Sequence, residues 1–256
     1  MGRSFDDLVE EAERAPVDGW RFDWLDGRAT EERPSWGYQR LLADRLPAAS
    51  RALDVQTGGG EVLAGVGAAS LPSTMVVTEG WPPNVDRAAA NVGPLGVHVV
   101  MAADDQPLPF ARASFDLVTS RHPATVHWGE IARVLEPGGT YLAQHVGGGA
   151  NVELAEHFLG ATAPSERRDH AVEAARARRA GLDVVQLRNE RLQLQFFDIG
   201  AVVWFLRKVI WTVPGFTVER HRARLRDLHE QIERDGVFRS STSRTLIEAR
   251  KPGAPT

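Results

Sequence analysis

Short apolar runs alternate with helical or Gly/Pro-rich stretches through the middle of the chain. Residues 51–55, 75–79, 97–101, 115–119 and 140–145 read as strands. Strands separated by helical stretches predict a parallel α/β sheet. Between the last two, residues 128–135 predict a helix ended by Pro137, Gly138 and Gly139. The rhythm then changes. Residues 166–180, rich in Ala and Arg and bracketed by Pro164, Ser165 and Gly181, predict a bounded helix, and 182–187 a sixth strand. Residues 198–210 are apolar almost all round, and 218–234 carry Leu225, Leu228 and Ile232 at helical spacing. These two helices read as an insertion before a last strand at 245–249, antiparallel if it enters the sheet beside its predecessor.

Composition changes this picture little. With 256 residues, 43% hydrophobic and 25% charged, the chain has the make-up of an ordinary globular protein. A net charge of -4 argues against broad nucleic-acid binding, which needs uncompensated cations. Lys208 and Lys251 are the only lysines, an arginine bias that points to a G+C-rich, bacterial genome. The absence of cysteine excludes disulfides, thiolate metal sites and a cysteine nucleophile. Residues 1–11 are polar and acidic, without an apolar signal core, and no stretch has the length of a membrane span, so a cytoplasmic protein with no membrane partner is expected. Trp20, Phe22, Trp24, Trp36 and Tyr38 concentrate aromatic side chains near the N-terminus. They read either as packing for the first helix or as a lid, and residues 1–45 are expected to form a segment apart from a main domain at 46–256.

The strongest local signal is Leu53-Asp54-Val55-Gln56-Thr57-Gly58-Gly59-Gly60-Glu61, an apolar strand running into a glycine-rich turn. Glycines let a backbone approach a ligand closely. Glu61 directly after the turn would repel a pyrophosphate, whereas Asp54 suits a ligand carrying an ammonium group. Further along stand Glu79-Gly80-Trp81 at the end of the second strand and Asp104-Asp105-Gln106-Pro107-Leu108-Pro109-Phe110 after the third. Ser114-Phe115-Asp116-Leu117-Val118-Thr119-Ser120 and Ile131-Ala132-Arg133-Val134-Leu135-Glu136-Pro137-Gly138-Gly139 follow.

In that order and spacing these segments resemble the class I S-adenosylmethionine-dependent methyltransferases, over about residues 51–146. The resemblance implies a Rossmann-like, seven-stranded, mostly parallel sheet with helices on both faces, an antiparallel last strand and a helical cap inserted at 191–236. It implies S-adenosylmethionine as cofactor and S-adenosylhomocysteine as product. Asp54 to Gly60 is similar to the family's first motif, with Gln56 in place of its first glycine, and Thr57, Gly58 and Gly60 continue the turn. Glu79 stands where the family binds both ribose hydroxyls, with Gly80 and Trp81 beside the adenine. Asp104 matches the acid that accepts the adenine amino group, and Asp105 the residue whose amide meets the ring.

Ser120, Arg121, His122 and Pro123 lie where this family faces the methyl group. His122 is the first candidate for a base or for orienting the acceptor, because imidazole titrates near neutral pH; His145 and Asp198 are further candidates by position. His122, His127 and Glu130 do not match a metal-ligand pattern, and no metal is expected. The [Asn/Asp/Ser]-Pro-Pro-aromatic signature of nucleic-acid amino-group methylation is absent after the fourth strand. A small-molecule acceptor is therefore expected. The alternatives are an RNA methyltransferase, using Arg220, Arg222, Arg224 and Arg226, and a noncatalytic cofactor-binding module.

Overall fold

A computed structural model describes residues 3–19, 21–161 and 168–253. In chain order its elements begin with α1 (Phe5–Arg14), β1 (Ala29–Glu31), α2 (Tyr38–Arg45), β2 (Arg51–Asp54), α3 (Glu61–Ala64) and β3 (Thr74–Glu79). Next come α4 (Pro82–Val92), β4 (His98–Met101), β5 (Phe115–Arg121), α5 (Trp128–Val134), β6 (Leu135–Val146) and α6 (Val152–Leu159). The last are α7 (His170–Arg179), β7 (Asp183–Phe196), α8 (Ile199–Lys208), α9 (Val218–Asp235) and β8 (Phe238–Arg250). The chain forms two compact units, one of Pro34–Gly148, Glu166–Glu190 and Arg244–Thr256, the other of Met1–Arg33, Gly149–Ser165 and Arg191–Ser243.

In the larger unit the strands run in the order β7-β8-β6-β5-β2-β3-β4. β2 pairs in parallel with β3 and β5, β3 with β4, and β5 with β6, while β8 lies antiparallel to β6 with Thr140 opposite Arg250. The expected mostly parallel sheet is thus present, with all seven expected strands. β8 sits between β7 and β6.

Strand alternation explains why helices cover both faces. Leu53, Val76, Val118, Tyr141, Ala143 and Ile247 share one buried cluster with Trp128, Ile131 and Val134 of α5 and Ala177 of α7. Their chain neighbours Ala52, Met75, Val77, Leu117, Leu142 and Leu246 share another with Leu42 of α2, Leu63 of α3 and Val92 of α4. Successive side chains of a strand point to opposite faces, so a strand apolar at every position must be covered twice.

The smaller unit is mainly helical. α1 opens on a capping box, Ser4 accepting from the Asp7 amide while Asp7 accepts from the Ser4 amide. Its Leu8, Val9 and Ala12 share one core with α6, α8 and α9. α8 is buried nearly all round, which settles its apolar run as core packing within this unit. α9 buries Leu225, Leu228 and Ile232, as their spacing predicts. β1 pairs antiparallel with the end of β7, Ala29 opposite Phe196.

The expected helix at 166–180 is α7, whose first turn is capped by Asp169 accepting from Ala171 and Val172; Pro164, Ser165 and Glu166 lie outside the described residues, as does Trp20. Trp24 stacks on Trp204 at 5.6 Å and Phe22 meets the same ring edge-on, so both pack inside the smaller unit. Trp36 and Tyr38 belong to the larger unit, both buried.

Candidate functional site

All the site residues expected from sequence except Asp198 lie in the larger unit, at the C-terminal ends of β2 to β6 and in the loops that follow them. That end of an open parallel sheet is where ligands bind. A cleft there is lined by Gln56, Asp104, Ser120, Pro123, Thr125 and His127, among others, over a floor that includes Tyr141.

β2 delivers Asp54 to the sheet interior, where it accepts a hydrogen bond from the Thr119 hydroxyl of β5 at 2.6 Å. Burial lifts its carboxyl above the usual range, against the pull of Thr119, Thr57 and Arg121. The turn that follows is left-handed at Gln56 (φ 57°), Gly58 (φ 65°) and Gly60 (φ 76°). Gln56 therefore occupies a conformation that suits glycine. Its side chain compensates by bridging to the loop after β5: Oε1 accepts from the Ala124 amide at 2.6 Å, and Nε2 donates to the Thr125 carbonyl at 2.8 Å.

Glu79, ending β3, is buried and gathers three backbone amides. Oε2 accepts from Gly58 at 2.8 Å, and Oε1 from Gly80 at 3.1 Å and Trp81 at 3.0 Å. A carboxylate offers about four lone-pair sites, so some capacity remains. The same bonds tie the glycine turn to β3. Burial raises the Glu79 pKa and neighbouring Asp104 adds to the rise, against these amides. At Gly80 a Cβ would stand 3.0 Å from the Ala102 carbonyl and 3.3 Å from Asp104 Oδ1, so this close approach of β3 to the next loop needs glycine. Trp81, at the N-cap of α4, is 42% exposed.

Asp104 carries the most informative atom. Its Oδ1 is buried and finds no hydrogen-bond partner among the described residues. Burial, reinforced by Asp105, pushes its pKa up, while His127 opposes. His127 Nε2 pairs with the Asp104 carbonyl. An acceptor shielded from water and left unpaired costs about 1–3 kcal/mol, so such atoms invite an explanation. Asp105 is exposed beside it.

At the end of β5, Ser120 is buried and its carbonyl accepts from the Tyr38 hydroxyl at 2.9 Å, while Arg121 is exposed. His122 turns left-handed (φ 55°), its amide donating to the Gln144 carbonyl at 2.7 Å. Burial first, then Arg121, Arg244, His145 and Arg168, hold its ring well below the ordinary imidazole pKa. It flanks the cleft, whose lining takes its neighbours Ser120 and Pro123 instead.

The two positional candidates sit elsewhere. His145 is in the core against Trp128, its Nε2 3.0 Å from the Tyr141 hydroxyl, and burial and Arg168 lower its pKa to about 3. Asp198, in the smaller unit, caps α8 by accepting from the Ala201 amide and forms a bidentate ion pair with Arg28. His127 and Glu130 also have structural partners, Glu130 accepting from the Leu108 amide and from Arg133. Among the described residues no group of three or more His, Cys, Asp or Glu could hold a metal ion, and no helix is long and apolar enough to cross a membrane. Of the four candidate arginines between 220 and 226 on α9, Arg222 pairs with Asp6, and it and Arg226 lie over the Phe5 ring.

Residues 53–143 match the methyltransferase domain family. This stretch is a class I methyltransferase domain. Among curated proteins, none matches the chain in sequence. Solved structures of similar fold include a candidate methyltransferase from Bacillus halodurans C-125, with TM-score 0.59 at 20% identity over 84% of this chain and 98% of that one. An S-adenosylmethionine-dependent methyltransferase from Mesorhizobium loti aligns with TM-score 0.52 at 16% identity, over 84% and 97% of the two chains. A phosphoethanolamine N-methyltransferase from Haemonchus contortus, solved with phosphomonomethylethanolamine and S-adenosylhomocysteine, gives 0.52 at 16%, over 98% of this chain and 61% of its own. At such identities the likeness is one of fold. Within the methyltransferase domain β2, β3 and β4 are neighbours, and Asp54 and Glu79 end the first two while Asp104 lies in the loop three residues past the third.

Proposed function

We propose that the protein is an S-adenosylmethionine-dependent methyltransferase acting on a small-molecule acceptor. The observation that carries this reading is the buried, unpartnered Asp104 Oδ1 on the cleft, an acceptor in want of a donor such as the amino group of adenine. The cradle around it fits the cofactor: glycine at position 80 keeps the neighbouring space clear of a Cβ, and nothing stands within 4 Å of where a Cβ on Gly58 would be.

In this reading Asp104 takes the adenine amino group, with the amide of Asp105 toward the ring and Trp81 beside it. Glu79 uses its remaining lone pair for a ribose hydroxyl and at the same time holds the Thr57 to Gly60 turn in place. Asp54 sets a negative charge beneath that turn and favours the ammonium end of the ligand. S-adenosylmethionine, when bound, supplies a methyl group already activated on a sulfonium. The chain's own task is then chiefly to align the acceptor for in-line attack, since orientation alone can supply several kcal/mol of the barrier. Ser120, Arg121 and His122 stand on the acceptor side. Their sequence lacks the signature of nucleic-acid amino methylation, which supports a small molecule, as does a fold that serves phosphomonomethylethanolamine in the Haemonchus enzyme. On α9 Arg222 pairs with Asp6 and Arg226 lies over the Phe5 ring, so two of the four candidate RNA-binding arginines have partners within the protein.

Calorimetry tests the reading. S-adenosylhomocysteine should bind and NAD should not, and Glu79→Ala should weaken S-adenosylhomocysteine by about 1.5–3 kcal/mol, the range for bonds to a charged acceptor. NAD binding without a response to S-adenosylhomocysteine would reject it.

A further inference from the structure

A buried hydrogen-bonded chain of three side chains reaches His122 from the far side of the sheet edge. Trp36 Nε1 donates to Gln144 Oε1 at 2.7 Å, and Gln144 Nε2 stands 2.8 Å from His122 Nε2. Trp36 and Gln144 are both 3% exposed. An indole nitrogen can only donate, so the oxygen of the Gln144 amide must face Trp36 and its NH2 must face His122. An NH2 group can only donate in turn. His122 Nε2 therefore presents its lone pair, and the proton of the neutral ring sits on Nδ1.

The chain is held at both ends. Arg188 lies over the Trp36 ring at 5.3 Å and also donates to Ser35, which is bound through its amide and hydroxyl by Glu190. Arg40 donates to the Trp36 carbonyl. At the other end the His122 amide is fixed on the Gln144 carbonyl, so backbone and side chain of Gln144 grip the same residue. The charged and titratable groups around the ring are Arg121, Arg168, Arg244 and His145, cations or a neutral imidazole, which oppose a further positive charge there. Among the described residues none bonds to Nδ1.

We infer that Trp36 and Gln144 are positioning residues that lock His122 in its Nδ1–H form, making it a hydrogen-bond donor to the acceptor molecule rather than the base that deprotonates it. This rests on the methyl-transfer reading above for its meaning, though not for its geometry. The substrate class follows. The acceptor brings a nucleophilic lone pair that needs no proton removed by His122, and it carries an oxygen or nitrogen that accepts from the imidazole N–H.

The test is the ring nitrogen spectrum of 15N-histidine-labelled protein, with His122 assigned by its loss in His122→Asn. The expected wild-type pattern is a protonated Nδ1 and a bare Nε2, with the ring still neutral at pH 6.5, where a free imidazole is half protonated. In Gln144→Glu a carboxylate that can only accept faces both partners, so the proton should move to Nε2 and the ring should become easier to charge. Trp36→Phe should release the amide to turn and give mixed tautomers. A folded wild-type protein with Nε2 protonated overturns the inference, and since it needs no variant, a misfolded Gln144→Glu does not shelter it. Calorimetry with S-adenosylhomocysteine on the same sample separates the two claims. Its failure to bind would defeat the methyl-transfer reading while the spectrum still decides the lock, and normal binding with the wrong tautomer would defeat the lock alone.

Discussion

Gln56 provides a quantitative test of why a non-glycine residue occupies the first turn. It holds φ 57° and makes two short side-chain bonds, to the Ala124 amide and the Thr125 carbonyl. For an L-residue the left-handed region costs roughly 1–2 kcal/mol. Each hydrogen bond is worth about 0.5–1.5 kcal/mol net, and partial exposure puts these toward the lower end. Gln56→Ala loses both bonds and keeps the strain, and should destabilise by about 1–2 kcal/mol. Gln56→Gly loses the same bonds but relieves the strain, less about 0.5–1 kcal/mol for the greater freedom of glycine in the unfolded chain. The glycine variant should therefore be the more stable of the two by about 0.5–1 kcal/mol. Urea titrations sharing one m-value would measure the difference. In both variants the Ala124 amide should exchange faster with solvent, because its acceptor is gone. An alanine variant as stable as the glycine variant, or unchanged protection at Ala124, would show that neither the strain nor the bridge has the role argued here.

Two further predictions concern titration. Burial raises the Asp104 pKa, and a carboxyl raised on folding contributes stability below its unfolded pKa that is lost as pH rises through the folded value. Asp104→Asn should accordingly raise the melting temperature at pH 7 to 8 relative to wild type, with the gain disappearing in acid, while weakening S-adenosylhomocysteine; a lower melting temperature at pH 8 with intact binding would contradict this. His122 and His145 have pKa values lowered on folding, so the stability they support is present above about 6.5 and lost as pH falls below it, by up to about 1.4 kcal/mol per pH unit for each residue. Denaturant midpoints between pH 7 and 5 should show this decline, and His145→Gln should make it shallower.

Much of the sheet was legible because its strands are buried on both faces and so appear as apolar runs. Their ends were less so. β7 continues to Phe196, and the alternation of Arg191, Gln193 and Gln195 with Leu192, Leu194 and Phe196 carried that signal in period two. β1 is three residues long and defined by its partner, so nothing local announces it. Asp54, Glu79 and Asp104 stood out as candidates because the first two each end a strand and the third follows one by three residues, all within recognisable motifs. The role of His145 could have been corrected from spacing, since Tyr141, Ala143 and His145 share one face of β6 and the first two are plainly core. Gln144 was not legible: its partners are Trp36, 108 positions away, and His122, just past the end of β5. Such contacts belong to tertiary register and leave no local pattern.

The placement of β8 between β7 and β6 has a consequence for synthesis. β6 acquires its second neighbour only from residues 244–250, roughly a hundred positions further along, so a chain emerging from the ribosome carries an open edge on β6 until its last strand is made. That edge is apolar at Tyr141, Leu142 and Ala143, all fully buried in the finished sheet. A chain shortened before β8 would keep the whole run from β2 to β6, including the residues of the cleft, and yet expose a strand edge ready to pair with another copy. Completion of the C-terminal strand is in this sense the step that removes the open edge of β6 by giving it its second neighbour.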